Sequence, residues 1–257
     1  MRIGSFYIAL ASLAAIGPVM AAQPAAPTPP PQLGVPTALY ADASQPDLSG
    51  LWVSTGAFYF GPKQELPKLQ GEYKALYDKR MKAFAGGAPV DDVTADCLPA
   101  GMPHLLVVPY PFELVQTPGR VTFLYEYDSV VRRVPLGPTP TAIKDAPTYN
   151  GLSTGRWEGQ TLVVETVNIR GDTQVDFSGL PHSDALRITE RIRRKDPVTL
   201  EDTITLTDPK AYSEPFTVVR EYRLRPKWKI SEYVCQENNR NKTDAEGRTG
   251  FGVPKKD

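Results

Sequence analysis

The chain has 257 residues, and its 29 basic side chains are balanced by 29 acidic ones. With no basic excess to hold phosphates, the composition argues against a nucleic-acid partner. Only two cysteines, Cys97 and Cys235, and two histidines, His104 and His182, are present, with no CxxC or Cys/His spacing that would suggest a metal site.

The first residues read as an address. Met1-Arg2 is a short positive region, Ile3 to Ile16 is apolar, and Val19-Met20-Ala21-Ala22 offers small-residue cleavage sites. Residues 1–22 are therefore expected to be a secretory signal peptide, which places the mature chain in the periplasm or outside the cell. Loss of Arg2 leaves that chain near a charge of −1. No second apolar run approaches the length of a membrane span. Residues 23–40 are rich in Pro and Ala and read as an extended linker. A single β-rich domain is expected over residues 41–238, with a flexible polar tail over 239–257. Asn241-Lys242-Thr243 in that tail matches a glycosylation acceptor.

Within the domain, Asp47 to Val53 reads as a first strand. Leu69, Tyr73, Leu76, Tyr77, Met81 and Phe84 recur at helical spacing, and Gly86-Gly87 ends the run. His104 to Val108 reads as a short strand. Phe112–Gln116 and Arg120–Tyr127 flank Thr117-Pro118-Gly119, a hairpin signal, and Val130–Leu136 continues the meander. Residues 137–150 carry three prolines and read as a surface loop. Ser153–Trp157 and Gln160–Val167 form a hairpin about Glu158-Gly159. A long polar loop, Asn168 to Ser183, then feeds strands at Ala185–Arg194, Thr199–Thr207, Phe216–Leu224 and Trp228–Gln236. The short connections make neighbours antiparallel.

Alternation assigns faces to these last four strands. The apolar faces are Leu186, Ile188, Glu190, Ile192; Leu200, Asp202, Ile204, Leu206; Phe216, Val218, Arg220, Tyr222, Leu224; and Trp228, Ile230, Glu232, Val234. Each carries one charge near its middle. Glu190, Asp202, Arg220 and Glu232 are therefore expected to form a polar constellation in an apolar interior, or an ion-pair network that fixes register. Three carboxylates against one arginine cannot all ionise cheaply out of water, so one carboxyl is expected to have a raised pKa or a ligand to complete the set. His182 sits where the long loop meets a strand, with Asp184 close enough in sequence to orient it. His182 and Glu190 are the candidate proton-transfer groups, Arg220 the candidate anion or carbonyl anchor, and Tyr125 and Trp157 candidate pocket walls. Asp172, Asp176 and Asp184 match no calcium-loop spacing. Arg187, Arg191 and Arg193 read as a solvated outer face.

In an exported protein Cys97 and Cys235 read as one disulfide, the alternative being two buried free thiols. A bridge would pin the loop after the helix against the end of the last strand.

Gly50-Leu51-Trp52 is similar to the GxW signature of lipocalin-like barrels, in which a late arginine packs over the tryptophan; Arg220, Arg223 or Arg225 is available here. PYPFELVQTPGRVTFLYEYDSVVRRV, GRWEGQTLVVET, PHSDALRITERIRR, TDPKAY and EYVCQEN resemble an uncharacterised family of exported bacterial β-rich proteins. That resemblance implies export and a β fold, and no reaction. The expected fold is all-β: an antiparallel up-and-down, lipocalin-like barrel of about 8–10 strands with one N-terminal helix packed against it. The expected function is a cofactor-free acid–base enzyme (lyase, isomerase or hydrolase) acting on a small apolar or aromatic substrate. The alternative is a non-catalytic carrier of a hydrophobic small molecule.

Overall fold

The structure is a computed structural model that describes residues 45–56, 65–88, 90–138, 145–238, 242–243 and 249–251. The expected signal peptide and linker lie outside the described residues, as does Asn241 of the glycosylation match. Among the described residues no helix is long and apolar enough to cross a membrane.

The elements run β1 (Gly50–Ser54), α1 (Gly71–Ala85), β2 (Val90–Asp91), β3 (Phe112–Thr117), β4 (Arg120–Tyr125), β5 (Val131–Pro135), β6 (Leu152–Glu158), β7 (Thr161–Val167), β8 (Arg187–Asp196), β9 (Thr199–Thr207) and β10 (Phe216–Leu224). After them come a short helix, α2 (Cys235–Asn238), and two short strands, β11 (Lys242–Thr243) and β12 (Thr249–Phe251). Nine strands form one sheet in the order β5-β4-β3-β1-β10-β9-β8-β7-β6, curled into a nearly closed barrel. Each strand lies beside its neighbour in the chain, and β10 returns to β1, so the topology is up-and-down.

Parity decides how the barrel closes. Eight successive antiparallel pairings leave the two outer strands of a nine-stranded sheet, β5 and β6, running the same way. Their seam is therefore parallel, and it is joined by one parallel bridge, Leu136 to Gly155. The Gly137 N–H donates to the Gly155 carbonyl at 2.9 Å. Gly155 is needed there, because a Cβ would stand 2.9 Å from Val134 Cγ1. Parallel neighbours cannot be joined by a tight turn, which explains the long proline-bearing connection between β5 and β6.

Alternation fills the interior as expected on β8 to β10: Ile188, Glu190, Ile192, Leu200, Asp202, Ile204, Leu206, Val218, Arg220 and Tyr222 are all buried. One end is sealed around Trp52, whose indole donates to the Leu48 carbonyl at 3.0 Å. The arginine over this ring is Arg194, 5.0 Å from its centroid, and not Arg220, Arg223 or Arg225. Arg194 donates to the carbonyls of Asp47, at 2.9 Å, and Ser49, at 3.3 Å, so it ties β8 to the chain that enters β1. Helix α1 ends at the expected glycines: the Gly86 N–H donates to the Lys82 and Ala83 carbonyls at 3.1 and 3.0 Å. It lays Tyr73 and Tyr77 against the core but buries no residue fully.

Three expectations are corrected. His104 to Val108 is no strand: His104–Leu106 is a 3₁₀ turn. Trp228 to Gln236 joins no ladder, because both edges of β10 are already taken, by β9 and β1. Part of the tail returns, as β12 pairs with β11 and with β2 in a separate three-stranded sheet. The Cys97–Cys235 disulfide is present, with the Cα atoms 5.7 Å apart. Cys235 comes from the first turn of α2 and not from a strand.

Candidate functional site

The strands bring together three of the four charges read from the sequence, and a fourth that was not. Glu190 lies opposite Ile204, so Asp202, two residues away on the same face of β9, is its diagonal neighbour. Arg220 on β10 lies directly opposite Asp202. All three side chains are buried, at 1%, 2% and 4% exposure. Glu232 is exposed and takes no part, since its segment is not a strand. Its place in the cluster is filled by Arg132 of β5.

Arg132 reaches across the seam. Its guanidinium donates to Ser153 Oγ on β6 at 2.9 Å, to Thr166 Oγ1 on β7 at 2.8 Å and to Glu190 Oε1 on β8 at 3.0 Å. A further hydrogen bond goes to Glu190 Oε2, making the pair bidentate. Ser153 and Thr166 also bond to each other at 2.9 Å. One side chain thus stitches β5 to three strands in a row. Glu190, fully engaged, holds Arg132 in place.

Asp202 is placed differently. Its Oδ1 is buried and has no hydrogen-bond partner among the described residues. Burial raises its pKa well above the ordinary carboxylate range, and the nearby Glu190 charge adds to this. Arg132, Arg220 and the Arg191 backbone work in the other direction without cancelling it. Arg220 Nη2 donates to Ser54 Oγ at 2.8 Å. Aromatic rings adjoin the cluster: Phe112 lies 5.4 Å from Tyr125 and 5.1 Å from Tyr222, centroid to centroid. Burial pushes the phenols of both tyrosines above their usual value. Trp157, the other expected wall, is only partly buried and packs against the core; its indole N–H is enclosed without a hydrogen-bond partner among the described residues.

His182 is buried in the long loop, with both ring nitrogens engaged. Nδ1 lies 2.9 Å from the Ser183 carbonyl, which can only accept, so Nδ1 carries the proton. Nε2 is then an acceptor for Thr173 Oγ1 at 2.9 Å. Burial lowers the imidazole pKa, so the ring is held neutral. Asp184 does not orient it. That carboxylate is exposed and pairs with Lys210 at 2.6 Å, which lowers its pKa. The residue that organises this corner is Asp208, which accepts from the Ser183 N–H at 2.6 Å and the Ser183 hydroxyl at 2.7 Å. An open pocket of about 590 Å³ lies over the loop, lined in part by Tyr73, Arg170, Asp172, Ser183, Asp184 and Lys210. Its charges pair with each other, Arg170 with Asp172 and Lys210 with Asp184.

His104 is buried beside Phe177, 4.2 Å between ring centroids, and neither ring nitrogen has a hydrogen-bond partner among the described residues. Burial lowers its pKa as well. Among the described residues no group of three or more His, Cys, Asp or Glu side chains is arranged to hold a metal ion. Comparison with family models, with curated proteins and with solved structures finds no significant match to this chain.

Proposed function

We propose that the barrel is an exported, cofactor-free acid–base enzyme for a small apolar or aromatic substrate, with Asp202 as its proton-carrying group. The reading rests on one observation: a carboxyl buried among strands, raised in pKa, with one oxygen that no group among the described residues uses. Such a group is neutral at the pH where an ordinary carboxylate is charged, and it can give a proton to a substrate and take it back. Arg220, opposite, would hold an anionic or carbonyl group, and Tyr125 and Tyr222 would stand beside the reacting atoms. His182 and Glu190 have no proton-transfer role in this scheme, because their hydrogen-bonding atoms are taken. Lyase, isomerase and hydrolase chemistry all fit a single acid–base carboxyl.

That same engagement of His182 and Glu190 supports a second reading, a carrier, since a carrier needs no second proton-transfer group. Untargeted mass spectrometry separates the two. The purified protein is incubated with a bacterial metabolite extract, beside an Asp202→Asn variant of matched melting temperature. The enzyme reading expects a compound consumed by the wild type and spared by the variant. A compound that co-purifies unchanged with both proteins would replace it with the carrier reading.

A further inference from the structure

The pocket over the long loop shares no residue with the Asp202 cluster, and the segments that wall it are tied to one another. Thr148 and Ile169 form a bridge, and the Arg170 N–H donates to the Thr148 carbonyl at 3.0 Å, which holds Pro147 and Arg170 close together. Asn168 opens the loop in a left-handed conformation, φ 59°, and its Nδ2 donates to the carbonyls of Asp145 and Ala146 at 3.2 and 3.3 Å. At Gly171 a Cβ would stand 2.8 Å from the Asp184 backbone nitrogen, so these two lining segments are in close contact. Tyr73 is brought in by α1. Gln70, just before that helix, ties it to the turn that carries Lys210: its N–H donates to the Ala211 carbonyl and its Nε2 to the Pro209 carbonyl, both at 2.9 Å. The pocket is therefore formed before any ligand arrives.

At about 590 Å³ it has the size of a small-molecule site, but such sites are mostly apolar. Here every described lining residue except Pro147 and Gly171 carries a polar or charged side chain. The charges are already matched. Asp172 accepts from Arg170 Nε at 2.8 Å and from Nη2 as well, and the same guanidinium lies 4.6 Å from the centroid of the Tyr149 ring. Lys210 Nζ donates to Asp184 at 2.6 Å. A charged ligand must displace one of these partners. A hydroxyl need not, because it both donates and accepts, and these groups have more donors and acceptors than one pairing uses. Neighbouring hydroxyls on one molecule can bridge both pairs and break neither. Tyr73 adds the one aromatic ring among the described lining residues, and with Pro147 it offers apolar surface to C–H groups. Hydroxyls around an edge and C–H groups on a face are the chemistry of a sugar ring.

We infer that this pocket takes a neutral sugar, its hydroxyls held by the Arg170–Asp172 and Lys210–Asp184 pairs and its C–H face set against Tyr73. Saturation-transfer NMR on the full chain tests it, with the methyl glycosides of glucose, galactose, mannose and N-acetylglucosamine beside acetate, ethylammonium and glycine. At least one glycoside is expected to bind, more tightly than any of the charged probes. Its dissociation constant should change by less than about twofold between low salt and about 0.5 M salt, since no net charge is exchanged. Arg170 and Lys210 are about half exposed, so Arg170→Met and Lys210→Met should fold and should each weaken binding at least about fivefold. Tyr73→Leu should do the same, and Asp202→Asn should leave binding unchanged. Cellobiose and chitobiose separate the two sources of such a ring. Binding at least about fivefold tighter than the monosaccharide marks the end of a glycan chain, and equal binding marks a free sugar. Absence of saturation transfer to every saccharide overturns the inference. So does tighter binding of acetate, ethylammonium or glycine, and so does glycoside binding that survives all three pocket variants.

Discussion

Strand β8 carries charged residues on both faces, and the two faces obey different rules. Outside, Arg187 pairs with Glu165 at 3.0 Å, Arg191 with Glu158 at 2.8 Å and Arg193 with Glu201 at 2.6 Å. Arg187, Arg191 and Arg193 are about half exposed, so water and salt do most of what their partners do. Inside, Glu190 and Arg132 are almost fully enclosed, and neither has water to fall back on. The same residue types, one position apart along the strand, are interchangeable decoration on one face and structural commitments on the other. The difference is the cost of leaving a partner behind.

The sharpest way to break this contrast is Arg132→Met. It leaves Glu190 charged and buried and removes the clasp at the parallel seam. Urea denaturation should show a loss of about 3–5 kcal/mol, and Arg132→Met with Glu190→Leu should recover most of it. A single-variant loss below about 1 kcal/mol would sink the claim that the pair holds the seam. A half-buried group should fall between the extremes. Burial raises the Asp128 carboxyl to about 6, against the opposing pull of the Ala100 backbone hydrogen bond. A pKa raised on folding favours the folded state below the ordinary carboxylate value of 3.8, and that contribution is lost as pH rises through about 6. Wild-type stability should therefore fall between pH 4 and pH 7 through this group, by about 1 kcal/mol after solvent screening. Asp128→Asn should flatten that slope. The test is clean because residue 128 has φ of 52°, a left-handed conformation that Asn accepts as readily as Asp. Identical slopes in the two proteins would refute it. The smallest effect belongs to the outer face: Arg191→Met should cost about 0.5 kcal/mol or less, and high salt should erase even that.

The inner face of β8 to β10 could be read in advance because period-two alternation is a local property of each strand, and Glu190, Asp202 and Arg220 emerged from it. Glu232 was misplaced for a reason no local pattern holds. Its segment alternates as a strand does, but whether it finds an edge depends on β1, far away in sequence, having taken the free edge of β10. Arg132 was legible by the same rule and was missed: in Val131-Arg132-Arg133-Val134 the burial alternates, with Arg132 and Val134 inward. A run of two arginines reads as surface unless the faces are separated. The Asp184–His182 pairing failed because closeness in sequence says little within a loop, where a residue brought in from after β9, Asp208, does the organising. The disulfide was legible because two cysteines allow one pairing.

Placing β1 between β3 and β10 also sets an order of events for the growing chain. Trp52 lies opposite Phe112 on one side and Leu224 on the other, so the earliest strand is completed by the last strand of the barrel. A chain emerging from its N-terminus can form the hairpins from β3 to β5 and from β6 to β9 as they appear, but it cannot close the cylinder until β10 arrives. Contacts between such distant residues form slowly, because a long loop must be closed before they reward it. Through that interval β1 offers an unpaired edge beside an uncovered tryptophan. The period of greatest exposure to misassembly is thus written into the strand order, and it ends only when residues 216–224 dock.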